Sequence, residues 1–221
     1  AQYLPTKRML KQDVGVDLDV FQCSGCGLVQ LKSDPVPYYR EVIRAAAISD
    51  EMKVFRINQF KKFIDMFGLK KKKIIEIGCG GGEYLSIIKR SDVNAYGIEY
   101  SKKLSKKCVE EDLKVTRGFV KSPDSRIKWA PFDAFIILNF LEHLPDPNSL
   151  LTGIHNNLTE CGVGIVEVPN LDMILRERLF SEFMCDHLLY FTRQSLSLVL
   201  ELNGFDVLEC KEIWHDYIIS A

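Results

Sequence analysis

A glycine-rich loop is the first feature of the sequence whose residue types and spacing could do chemistry. The segment Glu76-Ile77-Gly78-Cys79-Gly80-Gly81-Gly82 follows a short apolar run and precedes a helical pattern. Glycines at positions 78, 80 and 82 permit tight turns and let a ligand approach the backbone without a clash with a Cβ atom. The helix that follows directs its N-terminal amides at such a ligand, which suits a carboxylate or a phosphate. We therefore expect a small-molecule site at this loop rather than a plain turn.

Two classes of ligand compete for a loop of this kind. A dinucleotide fingerprint has the spacing G-x-G-x-x-G, which would place its third glycine at position 83. Glu83 stands there instead and would set an acid against the pyrophosphate. The spacing G-x-G-x-G, with Glu76 two residues before the first glycine, favours S-adenosylmethionine, because its amino-acid end and sulfonium tolerate a nearby carboxylate.

A second acid stands at the end of the next apolar segment. Glu99 closes the run that starts at Asn94, and it follows Glu76 by about 20 residues, the spacing of a ribose-binding acid at the tip of a second strand. We expect Glu99 to accept hydrogen bonds from ribose hydroxyls and Tyr100 to stack on adenine. The edge of the adenine stays unassigned, because Arg117, Gly118 and Phe119 offer no obvious polar contact there.

The elements that must position these residues alternate between strands and helices from Lys73 onward. We expect strands at residues 73–77, 94–99, 114–120, 132–138 and 162–168 and a closing hairpin at 205–213 and 216–219. Helices are expected at 84–90, 101–110, within 146–158, and at 192–203. The alternation predicts an α/β fold with a doubly wound, mainly parallel sheet of seven strands. Ligands bind beyond the carboxyl ends of such strands, which fall after Ile77, Ile98, Leu138 and Val168.

The chain divides into three zones of different texture. Residues 1–37 form an irregular N-terminal segment, residues 38–68 a helical lid or linker, and residues 69–221 the core. Ser49 is the expected N-cap of the helix in the second zone and Gly68 its end. Tyr38, Tyr39 and Arg44 precede the core and could belong to a lid. We take both tyrosines as candidate substrate contacts, with packing on the core as the alternative.

Composition restricts the classes of function. The 221 residues, 47% of them hydrophobic, suffice for one domain with a small appendage. A net charge of −1 gives no basic excess, so we expect no nucleic-acid partner. The sequence has no apolar run near the roughly 20 residues that span a bilayer, so we expect no membrane partner. Seven cysteines, an odd number, favour a reducing cytoplasm over a secreted disulfide framework.

The motifs, taken in their order, resemble those of class I S-adenosylmethionine-dependent methyltransferases. The resemblance rests on residues 76–82, on Glu99 and on the segment Phe132–Leu144, and it extends from about Lys73 to the C-terminus. It implies a Rossmann-like fold with the methionine part of the cofactor near Glu76 and the tip of the fourth strand. The candidate cofactor-binding residues are Glu76, Gly78, Cys79, Gly80, Gly82, Glu99, Tyr100, Asn139 and Phe140.

A pair of cysteines marks the N-terminal segment. Cys23 and Cys26 have metal-ligand spacing and are followed by Gly27. Structural zinc takes four ligands, so we expect zinc here only with further ligands from outside this chain. A redox pair is the alternative, although no thioredoxin-like pattern surrounds it.

A Cys pair before a methyltransferase core resembles the sugar C-methyltransferase group, as do residues 36–39, 167–170 and 186–191. The resemblance implies a nucleotide-linked sugar or a surface-polysaccharide precursor as acceptor. It also implies an acid–histidine pair for proton abstraction, here Asp186 and His187, and Asn170 is a further candidate substrate contact. In that group a C-terminal domain follows the hairpin, whereas the present sequence ends at Ala221.

Transfer of a methyl group to oxygen, nitrogen or an enolate carbon requires removal of a proton, a task for histidine near pH 7. His187 is the first candidate base, and His143, which follows the fourth strand, is the second. We predict a cytoplasmic methyltransferase that acts on a small polar acceptor. The alternative is a non-catalytic binding or scaffold protein that retains the methyltransferase fold.

Overall fold

A computed structural model describes residues 6–12, 14–40 and 48–221 of the chain. The middle of the expected lid, residues 41–47 with Arg44, lies outside the described residues. The described helices are α1 Asp50–Met66, α2 Glu83–Lys89, α3 Lys102–Glu110, α4 Pro147–His155, α5 Leu171–Arg176 and α6 Arg193–Leu202. Short 3₁₀ turns cover Leu10–Gln12, Leu141–His143 and Phe180–Glu182. The strands are β1 Val20–Gln22, β2 Val29–Leu31, β3 Lys73–Ile77, β4 Asn94–Glu99, β5 Lys114–Arg117, β6 Phe132–Leu138, β7 Leu158–Pro169, β8 Leu189–Tyr190, β9 Lys211–Ile213 and β10 Ile218–Ser220.

The main sheet has seven strands in the order β5-β4-β3-β6-β7-β10-β9. Its first five strands are parallel, while β10 runs antiparallel to both β7 and β9. The predicted doubly wound, mainly parallel sheet with a closing hairpin is therefore confirmed. Strands β4 and β5 are added on one side of β3, and β6 and β7 on the other. Such a change in the direction of strand order leaves a crevice at the carboxyl ends of β3 and β6.

Both faces of the sheet are buried, which is why its central strands are almost wholly apolar. In β6, Phe135 and Ile137 pack on one face, and Ala134, Ile136 and Leu138 pack on the other. The amphipathic helix α1 covers the second face with Phe60, Phe63 and Ile64. The central strands are thereby fixed on both sides, and their carboxyl ends are rigid supports for a site.

Helix ends follow the capping residues that the sequence offers. Ser49 accepts a hydrogen bond from the amide of Met52 at 3.1 Å and begins α1. The helix ends at Met66, just before Gly68 with φ of 62°. Thr192 and Ser195 form a reciprocal capping box at the start of α6. These boundaries agree with the prediction.

Four expected strands differ in their bounds from the prediction, and one of them is the second hairpin strand, which is Ile218–Ser220 rather than 216–219. Strand β5 ends at Arg117, and the amide of Gly118 already turns back to the carbonyl of Glu99 at 3.0 Å. Strand β7 begins earlier, at Leu158, because it continues to pair with β6 across a register shift. In the expected first strand of the hairpin only Lys211–Ile213 pairs, and Phe205 packs against Phe135, with ring centroids 5.2 Å apart.

A second, small sheet joins the N-terminal segment to the core. The hairpin of β1 and β2 pairs antiparallel with β8, with Val29 opposite Tyr190. The amide of Leu31 also donates to the carbonyl of Leu188 at 2.9 Å. The Cys-containing hairpin is thus held beside the segment that carries His187. Among the described residues there is no helix with the length and apolar character that a bilayer crossing requires.

The packing of β7 on β6 gives a testable prediction. A Cβ atom at Gly164 would overlap the ring of Phe135, whereas a Cβ at Gly15 meets no heavy atom within 4 Å. Overpacking of a close-packed core costs typically about 1–3 kcal/mol, so Gly164→Ala should lower the free energy of unfolding by that amount. Urea denaturation followed by circular dichroism measures the loss, with Gly15→Ala as the control. Equal stability of the two variants would contradict this packing.

Candidate active site

The glycine loop connects β3 to α2 at the carboxyl edge of the sheet. Gly78, Gly80 and Gly82 have φ values of 68°, 55° and 83°, a region that side chains with a Cβ rarely adopt. The amides of Gly78 and Cys79 donate to the carbonyl of Ile98, at 2.9 and 3.2 Å. The predicted glycines are thus required by the backbone itself, and the loop lies across the tip of β4.

Glu99 fixes this loop from the end of β4. One carboxylate oxygen accepts the amide of Gly80 at 2.9 Å, and the other accepts the amide of Ser101 at 2.7 Å. The residue is almost completely buried, at 1% exposure. Hydrogen bonds to a buried carboxylate are short and strong, so Glu99 couples the glycine loop to the start of α3.

The side chain of Cys79 points away from the crevice. It is fully buried and hydrogen-bonds with Cys108 of α3, whose thiol in turn donates to the carbonyl of Gly80 at 3.3 Å. The hydrogen bond with Cys108 and burial raise the pKa of the Cys79 thiol well above its ordinary value. Cys79 was expected among the cofactor contacts. Because its side chain is buried against Cys108, only its backbone could contact a cofactor.

A narrow, partly open cavity lies beyond the carboxyl ends of β3 and β4. Its walls are mainly apolar and aromatic and include Ile77, Gly78, Ile98, Tyr100, Phe119 and Phe140. The expected positions Gly78, Tyr100 and Phe140 therefore share one pocket. Phe119, from the region left unassigned by sequence, completes its aromatic wall, with its ring centroid 6.2 Å from that of Phe140.

Arg40 closes this cavity from the N-terminal side. Its guanidinium lies over the rings of Tyr39, Phe119 and Tyr100, at 4.9, 5.6 and 5.7 Å from their centroids. The ring of Tyr39 also meets that of Phe119 edge to face, whereas Tyr38 is half-buried. The structure places Tyr39 in the aromatic cluster of the cavity. Arg40 was missed by sequence analysis, although it directly follows the tyrosine pair.

A buried ion pair joins α1 to the end of β7. Arg56 Nη1 lies 2.5 Å from Glu167 Oε2, and both side chains have 0% exposure. Gln59 bridges the pair, since it accepts from Arg56 at 2.7 Å and donates to Glu167. Sequence analysis missed Arg56. The sequence feature that could have revealed it is the helical spacing of Arg56 from Phe60, Phe63 and Ile64, with which it forms the buried side of α1.

Unsatisfied polar atoms lie at this edge of the sheet. Within the described part of the chain, Arg56 Nε and Nη2 and Asn139 Oδ1 are buried without a hydrogen-bond partner. Asn139, at the tip of β6, has φ of 48° and donates its amide to the carbonyl of Glu167 at 2.9 Å. Buried polar groups are nearly always paired, so these atoms are candidates for contact with a polar ligand or with ordered water.

Two histidines and an acid meet beyond the end of β6. Glu142 and His143 lie in the 3₁₀ turn Leu141–His143, and the ring of His187 lies 4.7 Å from that of His143, at 79° to it. Burial raises the pKa of Glu142 to about 7. Burial, followed by repulsion from His143, lowers the pKa of His187 to about 4. The two predicted histidines are therefore brought together, and His187 is neutral at pH 7.

Asp186 contacts this group through its backbone rather than its carboxylate. Its carbonyl lies 2.7 Å from His143 Nδ1, while neither carboxylate oxygen has a hydrogen-bond partner among the described residues. The expected acid–histidine pair is thus corrected, since Asp186 orients His143 and makes no hydrogen bond with His187.

Asn170 has a capping role instead of the expected substrate contact. Its side-chain oxygen accepts the amide of Asp172 at 3.1 Å and begins α5, and its amide group donates to the carbonyl of Asp216 at 2.8 Å. The residue has 0% exposure. Both ends of the side chain are therefore used within the fold.

Cys23 and Cys26 lie in the turn between β1 and β2. The amide of Gly27, with φ of 75°, donates to the carbonyl of Cys23 at 2.9 Å. Backbone amides of Cys26 and Gly25 point at the Cys23 sulfur and lower its pKa. Within the residues described, no further histidine, cysteine or acid joins this pair to form a metal-binding group. The two predicted cysteines therefore lie in one turn, and the described residues add no third ligand.

Comparison with known proteins agrees with this fold. The model of a methyltransferase domain family matches residues 52–210. The chain is 24% identical to the C-methyltransferase NovU of Streptomyces niveus, over 87% of this chain and 47% of the relative. It is 26% identical to a ubiquinone biosynthesis O-methyltransferase of Psychrobacter arcticus, over 47% of this chain and 43% of the relative. A solved S-adenosylmethionine-dependent methyltransferase from Archaeoglobus fulgidus has a TM-score of 0.55 at 21% identity and covers 75% of this chain and 79% of that chain.

These matches define the class of the protein. The chain belongs to the methyltransferase domain family and carries an S-adenosylmethionine-dependent methyltransferase domain. It spans about half the length of the curated relatives it matches.

The buried ion pair gives a second testable prediction. Glu167→Gln leaves the Arg56 guanidinium buried without its counter-charge, which costs about 3–5 kcal/mol of the free energy of unfolding. Replacement of both partners, in Arg56→Met/Glu167→Leu, should recover most of that loss, because an apolar pair of similar volume needs no compensation. Urea denaturation measures all three proteins.

The exposed pair Lys106–Glu110 is the matched control for the buried pair. Glu110→Gln should change the stability by no more than about 1 kcal/mol. A double variant as unstable as Glu167→Gln would show that this pair does not act as a unit.

Proposed function

We propose that this chain binds S-adenosylmethionine in the crevice between the glycine loop and the tips of β4, β6 and β7, and that it methylates a small polar acceptor of the nucleotide-linked sugar class. The observation that carries the proposal is the loop of three positive-φ glycines, tied by Glu99 to a cavity with aromatic walls. A backbone free of Cβ atoms beside an apolar slot suits a ligand with an adenine ring and a polar tail.

The residues present fit each part of that ligand. Tyr100, Phe119 and Phe140 would enclose the adenine ring. Glu99 would accept the ribose hydroxyls, since a carboxylate can accept about four hydrogen bonds. The unpaired nitrogens of Arg56 and the unpaired oxygen of Asn139 would bind the carboxylate and the ammonium of the methionine part.

Arg40 must respond to the bound cofactor. Its guanidinium lies over Tyr100 and Phe119, the rings that would stack on adenine. In our proposal Arg40 leaves these ring faces when the cofactor enters. Residues 38–40 then cover the bound cofactor. The segment with Tyr39 would thereby act at the cofactor side of the crevice.

S-adenosylmethionine supplies an electrophilic methyl group on a sulfonium. The tasks of the chain are to hold the acceptor in line with that methyl group, to exclude water and to remove the acceptor's proton. The sulfur keeps the electron pair of the broken carbon–sulfur bond, and the acceptor atom forms the new bond to carbon. His187 is our candidate for the base because it is neutral at pH 7, with His143 beside it.

The acceptor class rests on three supports. The match to a C-methyltransferase covers most of this chain, and a second relative is an O-methyltransferase, so carbon and oxygen are the acceptor atoms to test. The histidine pair would supply the proton acceptor that either atom requires. The sugar class comes from the resemblance of the Cys hairpin and of residues 186–191 to sugar C-methyltransferases.

The Cys hairpin is proposed as half of a structural zinc site. Cys23 and Cys26 would supply two thiolates, and two further ligands would come from outside this chain. Because the hairpin pairs with β8, zinc would stabilise the segment that carries His187.

The cofactor assignment gives a prediction for Glu99. A hydrogen bond to a charged group contributes about 1.5–3 kcal/mol, so Glu99→Gln should raise the Kd for S-adenosylhomocysteine by about 10- to 100-fold. Isothermal titration calorimetry measures the change. The exposed Glu110→Gln on α3 should bind like the unmodified protein, and an unchanged affinity in Glu99→Gln would remove the ribose assignment.

The activity is tested by release of S-adenosylhomocysteine. The protein is incubated with S-adenosylmethionine and a panel of nucleotide-linked keto sugars, and the product is quantified by chromatography. His187→Ala should lower kcat by about 10²- to 10⁴-fold, the usual contribution of a general base, with unchanged affinity for S-adenosylhomocysteine. His215→Ala, whose side chain is 76% exposed, is the control. Cofactor binding without turnover on any acceptor would favour the scaffold alternative.

A further inference from the structure

The group of Glu142, His143 and His187 has more in common with a metal site than with a simple base. One carboxylate oxygen and one ring nitrogen from each histidine all lie within 4.8 Å of one another. Around a transition metal with bonds of about 2.0–2.2 Å, neighbouring ligand atoms lie roughly 3–3.5 Å apart. Movements of about 1 Å in these side chains would therefore bring the three ligand atoms to the distances that a metal requires. We propose that Glu142, His143 and His187 bind one divalent transition-metal ion.

The hydrogen bond to Asp186 prepares His143 as a ligand. A backbone carbonyl can only accept, so the Nδ1 atom that lies 2.7 Å from it must carry the proton. Nε2 of the neutral ring is then bare, and it lies 3.9 Å from Glu142 Oε1. Histidines that bind metals usually donate their second ring N–H to a carbonyl or a carboxylate, which is the arrangement seen here.

The buried carboxyl groups of Glu142 and Asp186 favour a cation in this group. Glu142 and Asp186 are 1% and 2% exposed. Neither oxygen of Asp186, nor Oε2 of Glu142, has a hydrogen-bond partner within the described part of the chain. Burial of unpaired carboxylates costs several kcal/mol each in an apolar interior. A divalent ion bound by Glu142 and the two histidines would supply the positive charge that these buried oxygens lack in the described residues.

The donor types restrict the metal. Two imidazoles with one carboxylate suit zinc, iron, cobalt or nickel, whereas calcium and magnesium prefer oxygen ligands alone. Three protein ligands leave at least one coordination position open, as in catalytic rather than structural sites. Cys23 and Cys26 are not members of this group, and their sulfur ligands would give a different optical signature.

An open position would face the acceptor, a role that rests on the proposed function. A hydroxyl or carbonyl oxygen of the acceptor would occupy it, and the ion would stabilise negative charge that develops there. The acceptor class is then a molecule with an oxygen at, or next to, the methylated atom.

Cobalt(II) titration tests the site without reference to turnover. The Cys23→Ser/Cys26→Ser protein serves as background, so that the two thiolates of the Cys hairpin cannot bind the metal. We expect one equivalent of Co²⁺ to bind, with visible d–d bands and no thiolate charge-transfer band, and Zn²⁺ to displace it. His187→Gln and Glu142→Gln in that background should each weaken Co²⁺ binding by about 100-fold or more, beyond the cost of an outer-shell change.

His215→Ala is the matched control, because His215 is exposed and remote in sequence from the group. It should bind Co²⁺ like the background protein. Failure of the background protein to bind Co²⁺ or Zn²⁺, or equal binding in His187→Gln, would overturn the proposal. S-adenosylhomocysteine affinity measured on the same samples separates the outcomes, because retained affinity without metal removes the metal site and leaves the methyltransferase assignment intact.

Discussion

The two hydrogen bonds that Glu99 accepts hold the crevice in shape. A loop with three positive-φ glycines has little conformational preference of its own, so an anchor must select one conformation. Glu99 supplies it, because its buried carboxylate accepts the amide of Gly80 on one side and that of Ser101 on the other. The acid is itself fixed by β4, which lies between β3 and β5 in a sheet buried on both faces. The packing of β4 within the sheet therefore fixes Glu99, and Glu99 fixes the conformation of the glycine loop.

Polar groups at the carboxyl edge of the sheet form two separate centres. Near the tips of β6 and β7, Arg56 and Asn139 offer unpaired donors and an acceptor to a polar ligand. Beyond the end of β6, Glu142 and the two histidines form a second group. Both centres pay a desolvation cost that packing alone does not require. Both centres lie at one edge of one sheet, which is where the proposed function places the cofactor and the acceptor.

The sequence predicted the elements whose residues carry a local signal. Strands β3, β4 and β6 have their expected bounds because each is an apolar run buried on both faces. The caps at Ser49 and Thr192 also follow from local chemistry. Strands β1, β2 and β8 have two or three residues each, too few for a periodic pattern, and their sheet depends on pairing between distant segments.

The contacts that each side chain makes were harder to predict from the sequence than the strands and helices. An asparagine after a strand reads the same whether it binds a substrate or caps a helix, and Asn170 caps. Arg56 is hidden in an amphipathic pattern, and its role appears only when β7 brings Glu167 against it. The contact between His143 and the carbonyl of Asp186 joins residues far apart in the chain, so only the fold reveals which group orients the histidine.

The central claim is that the crevice binds S-adenosylmethionine rather than a dinucleotide. Calorimetric titration of the purified protein with S-adenosylhomocysteine, with NAD as a parallel titrant, tests it most directly. The account predicts micromolar binding of S-adenosylhomocysteine and no heat of binding with NAD. Binding of NAD without binding of S-adenosylhomocysteine would contradict it.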